Sequence, residues 1–182
     1  MSKTTIIFVR HGTVKNTKQI IYGRLPGFKL SNEGEKQIKK TADDLKNFPV
    51  DLVFTSPLLR AMQSASIIGK MLDIKPKIDN RLIEIKNIFQ GISLEKYKRD
   101  IQPHQFDDEY VRRGQESIPH IRQRMLKFIS AIRKKYKGKT IIAVSHGDPI
   151  VILRSAFEGK EFTWNYKKNN YLQTGGWFLI NI

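Results

Sequence analysis

Two His-Gly pairs, His11-Gly12 and His146-Gly147, occupy matching places in the chain, each directly after a short apolar run. A neutral imidazole nitrogen is a competent nucleophile, and histidine forms covalent intermediates in group transfer. Arg10 precedes the first histidine, and Arg60 closes the stretch Ser56-Pro57-Leu58-Leu59-Arg60. Guanidinium groups fork onto phosphate oxygens in a geometry that lysine does not reproduce. Arginines near His11 would disfavour its protonation and keep it nucleophilic near neutral pH. A protonated His146 would stabilise charge on the equatorial oxygens during in-line transfer. Glycine after each histidine leaves room for close backbone approach. Gathered at one point, Arg10, His11, Arg60 and His146 would hold a phosphate and accept it. Two histidines without a nearby third ligand make a poor zinc site, so no metal is expected.

The elements around these residues can bring them together. The run Thr4 to Val9 has strand length and β-branched content, and Thr140 to Val144 repeats the pattern. In an open α/β sheet, ligands sit at the carboxyl ends of the strands, so both imidazoles would face one pocket. Asp51 to Thr55 reads as a further buried strand. Ser56 is a natural N-cap and Pro57 a natural first helical residue, followed by an apolar stripe of Leu58, Met62, Ala65, Ile68 and Leu72. Arg60 then falls in the first turn of that helix. Helical side chains lean toward the N-terminus, which aims its guanidinium at the sheet edge carrying the histidines.

The rest of the chain supplies layers and connections. Ser31 or Asn32 caps a helix to about Asn47, with Glu33 and Glu35 suiting its dipole. Ser117 opens a long helix whose apolar face runs from Ile118 to Tyr136, with Gly138 as its stop. Its opposite face, with Arg122, Arg124, Lys127 and Arg133 to Lys135, reads as solvated. Asp148 and Pro149 open a helix through Phe157, and Trp177 to Ile182 form a last strand. Residues 13–30 read as a long functional loop, 77–79 as a short edge strand, 93–99 as a short helix and 102–114 as a polar lid or surface excursion. His104 and His120 read as surface or packing histidines. No repeat or linker interrupts the chain, so one domain over 1–182 is expected.

Composition narrows the partners. The chain has 182 residues and a net charge of +16. Such a balance attracts nucleic acid, anionic membrane or small phosphorylated molecules, or simply reflects a lysine-rich solvated surface. No P-loop, zinc-finger spacing or RRM signature occurs, and there is no cysteine. No apolar run reaches membrane-spanning length. The N-terminus runs directly into the first strand, leaving no room for a signal peptide, and a cytoplasmic enzyme is expected. No exposed apolar stripe specifies an oligomeric state.

Arg10-His11-Gly12, Ser56-Pro57-Leu58-Leu59-Arg60-Ala61, Leu82-Ile83-Glu84 and Ser145-His146-Gly147 resemble, in order and spacing, the histidine phosphatase superfamily with its phosphoglycerate mutase-like fold. Gly23-Arg24, Leu30-Ser31-x-x-Gly34 and Gly114-x-Glu116-Ser117 add weaker matches, and the resemblance spans essentially the whole chain. It implies an α/β fold, a three-layer αβα sandwich with a mostly parallel central sheet. It also implies His11 as the nucleophile that becomes phosphohistidine, with Arg10, Arg60 and His146 binding the transferring phosphoryl group. Glu84 would be the proton donor to the leaving alcohol and then the base for water. That role needs a carboxyl protonated for the first step, hence a raised pKa. Asp148 is the second choice for this acid. Arg24, Asn16 and Gly147 are the implied substrate-side positions, and neither metal nor cofactor is implied.

The chain departs from the family pattern in three places. Val14 stands where serine or threonine is usual, Asn16 comes one position early, and Ile88-Phe89-Gln90-Gly91 follows Glu84 one residue tighter. A metal-independent phosphomonoester hydrolase acting on a small phosphorylated substrate is the expected function. A phosphoglycerate mutase-type transferase is the alternative, less expected because such enzymes carry a longer insertion over the site. A basic nucleic-acid-binding scaffold is less expected still, since it would not require the intact set of Arg10, His11, Arg60, Glu84 and His146.

Overall fold

Apolar, β-branched runs with no polar face require cover on both sides, and the sheet receives it. The computed structural model describes residues 3–182, so the first two positions of the expected domain lie outside the described residues. Five strands, β1 (Thr5–Arg10), β2 (Val50–Thr55), β3 (Lys77–Ile78), β4 (Thr140–Ser145) and β5 (Trp177–Asn181), lie in the order β3-β2-β4-β1-β5. The pairs β3–β2, β2–β4 and β4–β1 are parallel, and β5 runs antiparallel along β1. Among the described residues, seven α-helices accompany them: α1 (Asn32–Leu45), α2 (Leu59–Leu72), α3 (Leu94–Lys96), α4 (Asp108–Arg112), α5 (Ile118–Lys135), α6 (Gly147–Phe157) and α7 (Trp164–Asn170).

Alternate residues of each strand feed opposite cores. Ile7, Val9, Val53, Ile142 and Val144 pack with Ile38, Ala42 and Leu45 of α1 and Ala61, Ala65 and Ile68 of α2. Ile6, Phe8, Phe54, Ile141 and Ala143 pack with Met125, Phe128, Ile129 and Ile132 of α5 and Ile150 and Leu153 of α6. The expected αβα sandwich is thus formed. Phe128 is fully buried and meets Phe8 and Phe54 edge-on, with centroids 6.3 and 5.7 Å away. Its truncation to alanine should cost about 3–5 kcal/mol.

The caps show where local reading holds and where the site intervenes. Ser31 and Ser117 cap α1 and α5, their hydroxyls accepting from Gly34 and His120 N–H. Ser56, expected to cap α2, does not. The helix starts at Leu59 with Leu58 in the cap position, and Ser56 Oγ is bonded to His146 Nε2 at 2.7 Å. The buried stripe shifts accordingly to Arg60, Ala61, Ser64, Ala65, Ile68 and Gly69, leaving Leu58 and Met62 half-buried. Arg124 on α5 also departs from the solvated face expected for it, because it is ion-paired with Glu116 at 2.7 Å.

The less legible stretches resolve into short pieces. Residues 13–30 form a loop pinned by two isolated bridges, Val14↔Leu30 and Ile20↔Ser93. Helix α3 runs into a π-helical turn over Tyr97–Ile101, and α4 lies inside the expected polar excursion. His104 and His120 are exposed. No described helix is long and apolar enough to cross a membrane.

Candidate active site

Sheet register sets the first two side chains. Arg10 pairs with Ser145 across the β1–β4 ladder, so His11 and His146 leave adjacent strands side by side. Their ring centroids lie 5.1 Å apart, and both rings are buried. The first turn of α2 carries Arg60 back to them. Arg60 Nε donates to His11 Nε2 at 3.1 Å, and Nη2 bonds His146 Nδ1 at 3.2 Å and the Gly23 carbonyl at 2.8 Å. Its guanidinium is 1% exposed and lies 4.8 Å from the centroid of the Tyr22 ring, whose face offsets part of the desolvation. Arg10 donates to the Leu172 carbonyl at 2.6 Å and stacks on Tyr171 at 4.7 Å. Its Nε is buried with no protein partner, a donor suited to an oxyanion.

These partners fix the tautomers. The carbonyl of Gly12 only accepts, so the 2.8 Å contact places hydrogen on His11 Nδ1. Arg60 only donates, so its contact places a lone pair on His11 Nε2, the atom facing the guanidinium. By the same argument His146 Nδ1 accepts from Arg60 and its Nε2–H donates to Ser56 Oγ. Burial, then the Arg60 and Arg10 charges, hold His11 well below the ordinary imidazole range. Burial, then Arg60 and His11, do the same to His146. Both the burial and the neighbouring charges favour the neutral imidazole over the protonated one at His146.

Glu84 follows the short 3₁₀ turn Asn80–Leu82 and reaches the same point. Its Oε2 lies 3.7 Å from His146 Nδ1 and 3.9 Å from Arg60 Nη2, and its Oε1 accepts from Ile85 N–H at 2.9 Å. Burial, reinforced by the Asp148 charge, raises its pKa against the opposing pull of Arg60.

The remaining expected positions separate. Asn16 lines the cavity, yet its side chain also braces its own loop, donating to the Ile20 carbonyl at 2.8 Å. Arg24 does not line it. Its Nε donates to the Glu84 carbonyl at 2.7 Å and its Nη2 pairs with Glu116 at 3.0 Å, while Glu116 also holds Arg124 and the Lys86 N–H. Arg24 is thus a strut behind the acid. Gly147 acts through its neighbour: a Cβ there would sit 2.3 Å from the Tyr171 hydroxyl. Gly12 likewise admits the backbone of Gly34, whose oxygen would lie 2.4 Å from a Cβ. Asp148 faces the cavity with its Oδ1 2.5 Å from Lys167 Nζ.

A cavity of about 300 Å³ is lined by Arg10, His11 and Glu84 together with Ile20, Ile85 and Leu94, while Arg60 and His146 are buried beside His11 and do not line it. Tyr22, Tyr171 and Lys167 have no site role assigned from sequence, and Ser56 is read there only as a helix cap and as part of a motif. Serine before proline invites a cap reading, which hid Ser56; the other three become partners only through contacts far along the chain.

The sequence matches the family profile described as histidine phosphatase superfamily (branch 1) over residues 6–172. An uncharacterized protein of Mycobacterium tuberculosis is 34% identical over 162 residues, covering 87% of this chain and 80% of its own length. Phosphoserine phosphatase 1 of Hydrogenobacter thermophilus is 27% identical over 177 residues, covering 91% and 82%. The solved structure of Bacillus stearothermophilus YhfR shares the fold with a TM-score of 0.84 at 23% identity, over 97% of this chain and 90% of that one.

Proposed function

The chain belongs to the histidine phosphatase superfamily, and on that premise we propose that it is a phosphomonoester hydrolase working through a phosphohistidine on His11. The observation that carries this reading is the doubly specified His11 tautomer, with Nδ1–H on Gly12 and an Nε2 lone pair beside the Arg60 guanidinium. A substrate phosphate would take the unpartnered Arg10 Nε as a donor and draw the Arg60 Nε–H away from His11 Nε2, which frees that lone pair for attack. His11 Nε2 attacks phosphorus in line as the ester P–O bond breaks, and Glu84 gives its proton to the departing alkoxide. The Glu84 carboxylate then takes a proton from water, the oxygen attacks phosphorus, and the N–P bond breaks to release phosphate and His11. The dianion favours a proton on His146 Nδ1 while it is bound, which makes that nitrogen a donor to the phosphoryl oxygens. No metal takes part in this scheme.

The cavity suits a small phosphorylated substrate, the class named in the phosphoserine phosphatase relative. A cytoplasmic setting and one domain over 1–182 belong to the same reading. Phosphate release from a panel of alkyl and aryl phosphomonoesters, with chelator present, tests it in wild type and His11→Ala. The expected result is release by wild type alone, with acid-labile phosphate on the protein. Comparable release by His11→Ala would overturn the mechanism, and isomerisation of a phosphoester by wild type without net release of phosphate would identify a mutase.

A further inference from the structure

An ion pair joins α6 to α7 beside the cavity, and the chemistry above makes no use of it. Asp148, in the first turn of α6, is 8% exposed, and its Oδ1 lies 2.5 Å from Nζ of Lys167, itself 3% exposed. The lysine ammonium also lies 5.2 and 5.8 Å from the ring centroids of Tyr171 and Trp164, which hold a cation without a second acid. A buried pair of this kind adds little net stability over apolar residues of the same volume. What it does is set a carboxyl group in the lining of the cavity that Glu84 also lines, with its lysine partner outside that lining.

We propose that Asp148, ion-paired with Lys167 and lining the same cavity as Glu84, is a positioning residue for Glu84: the lysine engages one of the two cavity acids and leaves the other free to handle the proton. This rests on the phosphatase reading with Glu84 as the acid. The lysine touches Asp148 at contact distance, whereas the nearest cation to the Glu84 carboxyl, Arg60, stands off at 3.9 Å and spends its hydrogen bonds on the two imidazoles and Gly23. Asp148, the second choice for the acid, is the one held on the lysine.

The other groups facing Glu84 do not supply the same effect. From β1, Arg10 favours the Glu84 carboxylate and His11 is neutral. From α2 and the end of β4, Arg60 favours the carboxylate and His146 is neutral. Tyr22, Tyr97 and Tyr171, from the 13–30 loop, the π-turn and the end of α7, are phenols that burial keeps protonated. Arg24 reaches the Glu84 backbone, and Lys98 stands at the rim. Among these neighbours, Asp148 is the like charge that opposes the arginines.

The experiment follows the Glu84 carboxyl carbon by NMR in ¹³C-labelled full-length protein, its signal assigned by loss in Glu84→Gln. Asp148→Asn strands the lysine and risks unfolding, so Asp148→Asn/Lys167→Met, which removes both charges, is measured beside it. Removal of the like charge favours the Glu84 carboxylate, so the titration should move down, by about one pH unit in Asp148→Asn and by less in the double variant, where loss of the ammonium offsets part of it. The alkaline limb of turnover on an alkyl phosphomonoester should move down with it, while an aryl phosphate, which needs no acid, keeps its profile. A merely structural pair would move neither. A Glu84 titration unmoved in the folded double variant, with wild type active, overturns this inference alone. A moved titration in a wild type that releases no phosphate overturns the phosphatase reading while supporting the coupling of the two acids.

Discussion

The phosphate end of the cavity and its rim are built in opposite ways. At the phosphate end, His11 and His146 follow adjacent parallel strands and Arg60 comes from the first turn of the next helix, so backbone hydrogen bonding places all three. At the rim, Glu84 sits on irregular chain whose carbonyl is held by Arg24, which is held by Glu116, which also holds Arg124. The Arg24–Glu116 contact spans 92 positions in sequence. One region is specified by short motifs and sheet register. The other is specified by side chains that find one another only after folding. The chemistry common to phosphoryl transfer should therefore tolerate rim substitutions, while handling of the leaving group should not.

The largest expected effect lies at the phosphate end. His11→Ala should lower turnover by roughly 10⁴-fold or more, with the thermal transition retained, since the ring faces a cavity rather than the hydrophobic core. Equal rates for the variant and wild type would dissolve the distinction between the two regions. Next comes the centre of the rim network. Glu116→Ala leaves Arg24 and Arg124 without their carboxylate and should cost about 2–3 kcal/mol in urea unfolding. It should slow alkyl phosphates far more than aryl phosphates, because the Glu84 strut is released. Equal slowing of both substrates would mean that the rim also shapes the phosphate end.

Ser56→Ala is a finer cut. It removes the acceptor of the His146 Nε2–H, a loss on the order of tenfold in turnover if about 1.4 kcal/mol of orientation is forfeited. The loss should be alike for alkyl and aryl substrates. The smallest effect is on stability with pH. Both histidines are held below the ordinary imidazole value, so below about 6.5 the unfolded chain binds protons that the folded chain refuses. Stability should fall as pH drops through that value. Glu84, whose pKa is raised, acts oppositely: above its unfolded value the folded chain keeps the proton, so its contribution declines as pH rises. A urea midpoint that falls between pH 7 and 5, and falls less in His11→Gln/His146→Gln, checks the sign.

The same contrast explains what the sequence made legible. Apolar runs ending in Arg-His-Gly and Ser-His-Gly announce strand ends, and α1, α5 and α6 show their apolar stripes and starting residues openly. Ser56 misled because one hydroxyl can serve a helix or a histidine, and only the position of β4 beside β2 decides between them. Arg124 reads as one of several surface cations on α5 until Glu116 is placed beside it. Lys167 and Tyr171 lie in a stretch with no motif, and they matter because the connection from α7 to β5 passes over Arg10 and Gly147.

The separation of the two imidazoles has a consequence for redesign. Their centroids stand 5.1 Å apart, close to the spacing of about 4.8 Å that hydrogen bonding imposes on any two neighbouring strands. That distance is a ruler cut into the backbone, beyond the reach of side-chain drift. Residues 85–116 can then be exchanged as a cassette between relatives, carrying a new leaving-group preference while the calibrated end of the instrument stays as it was.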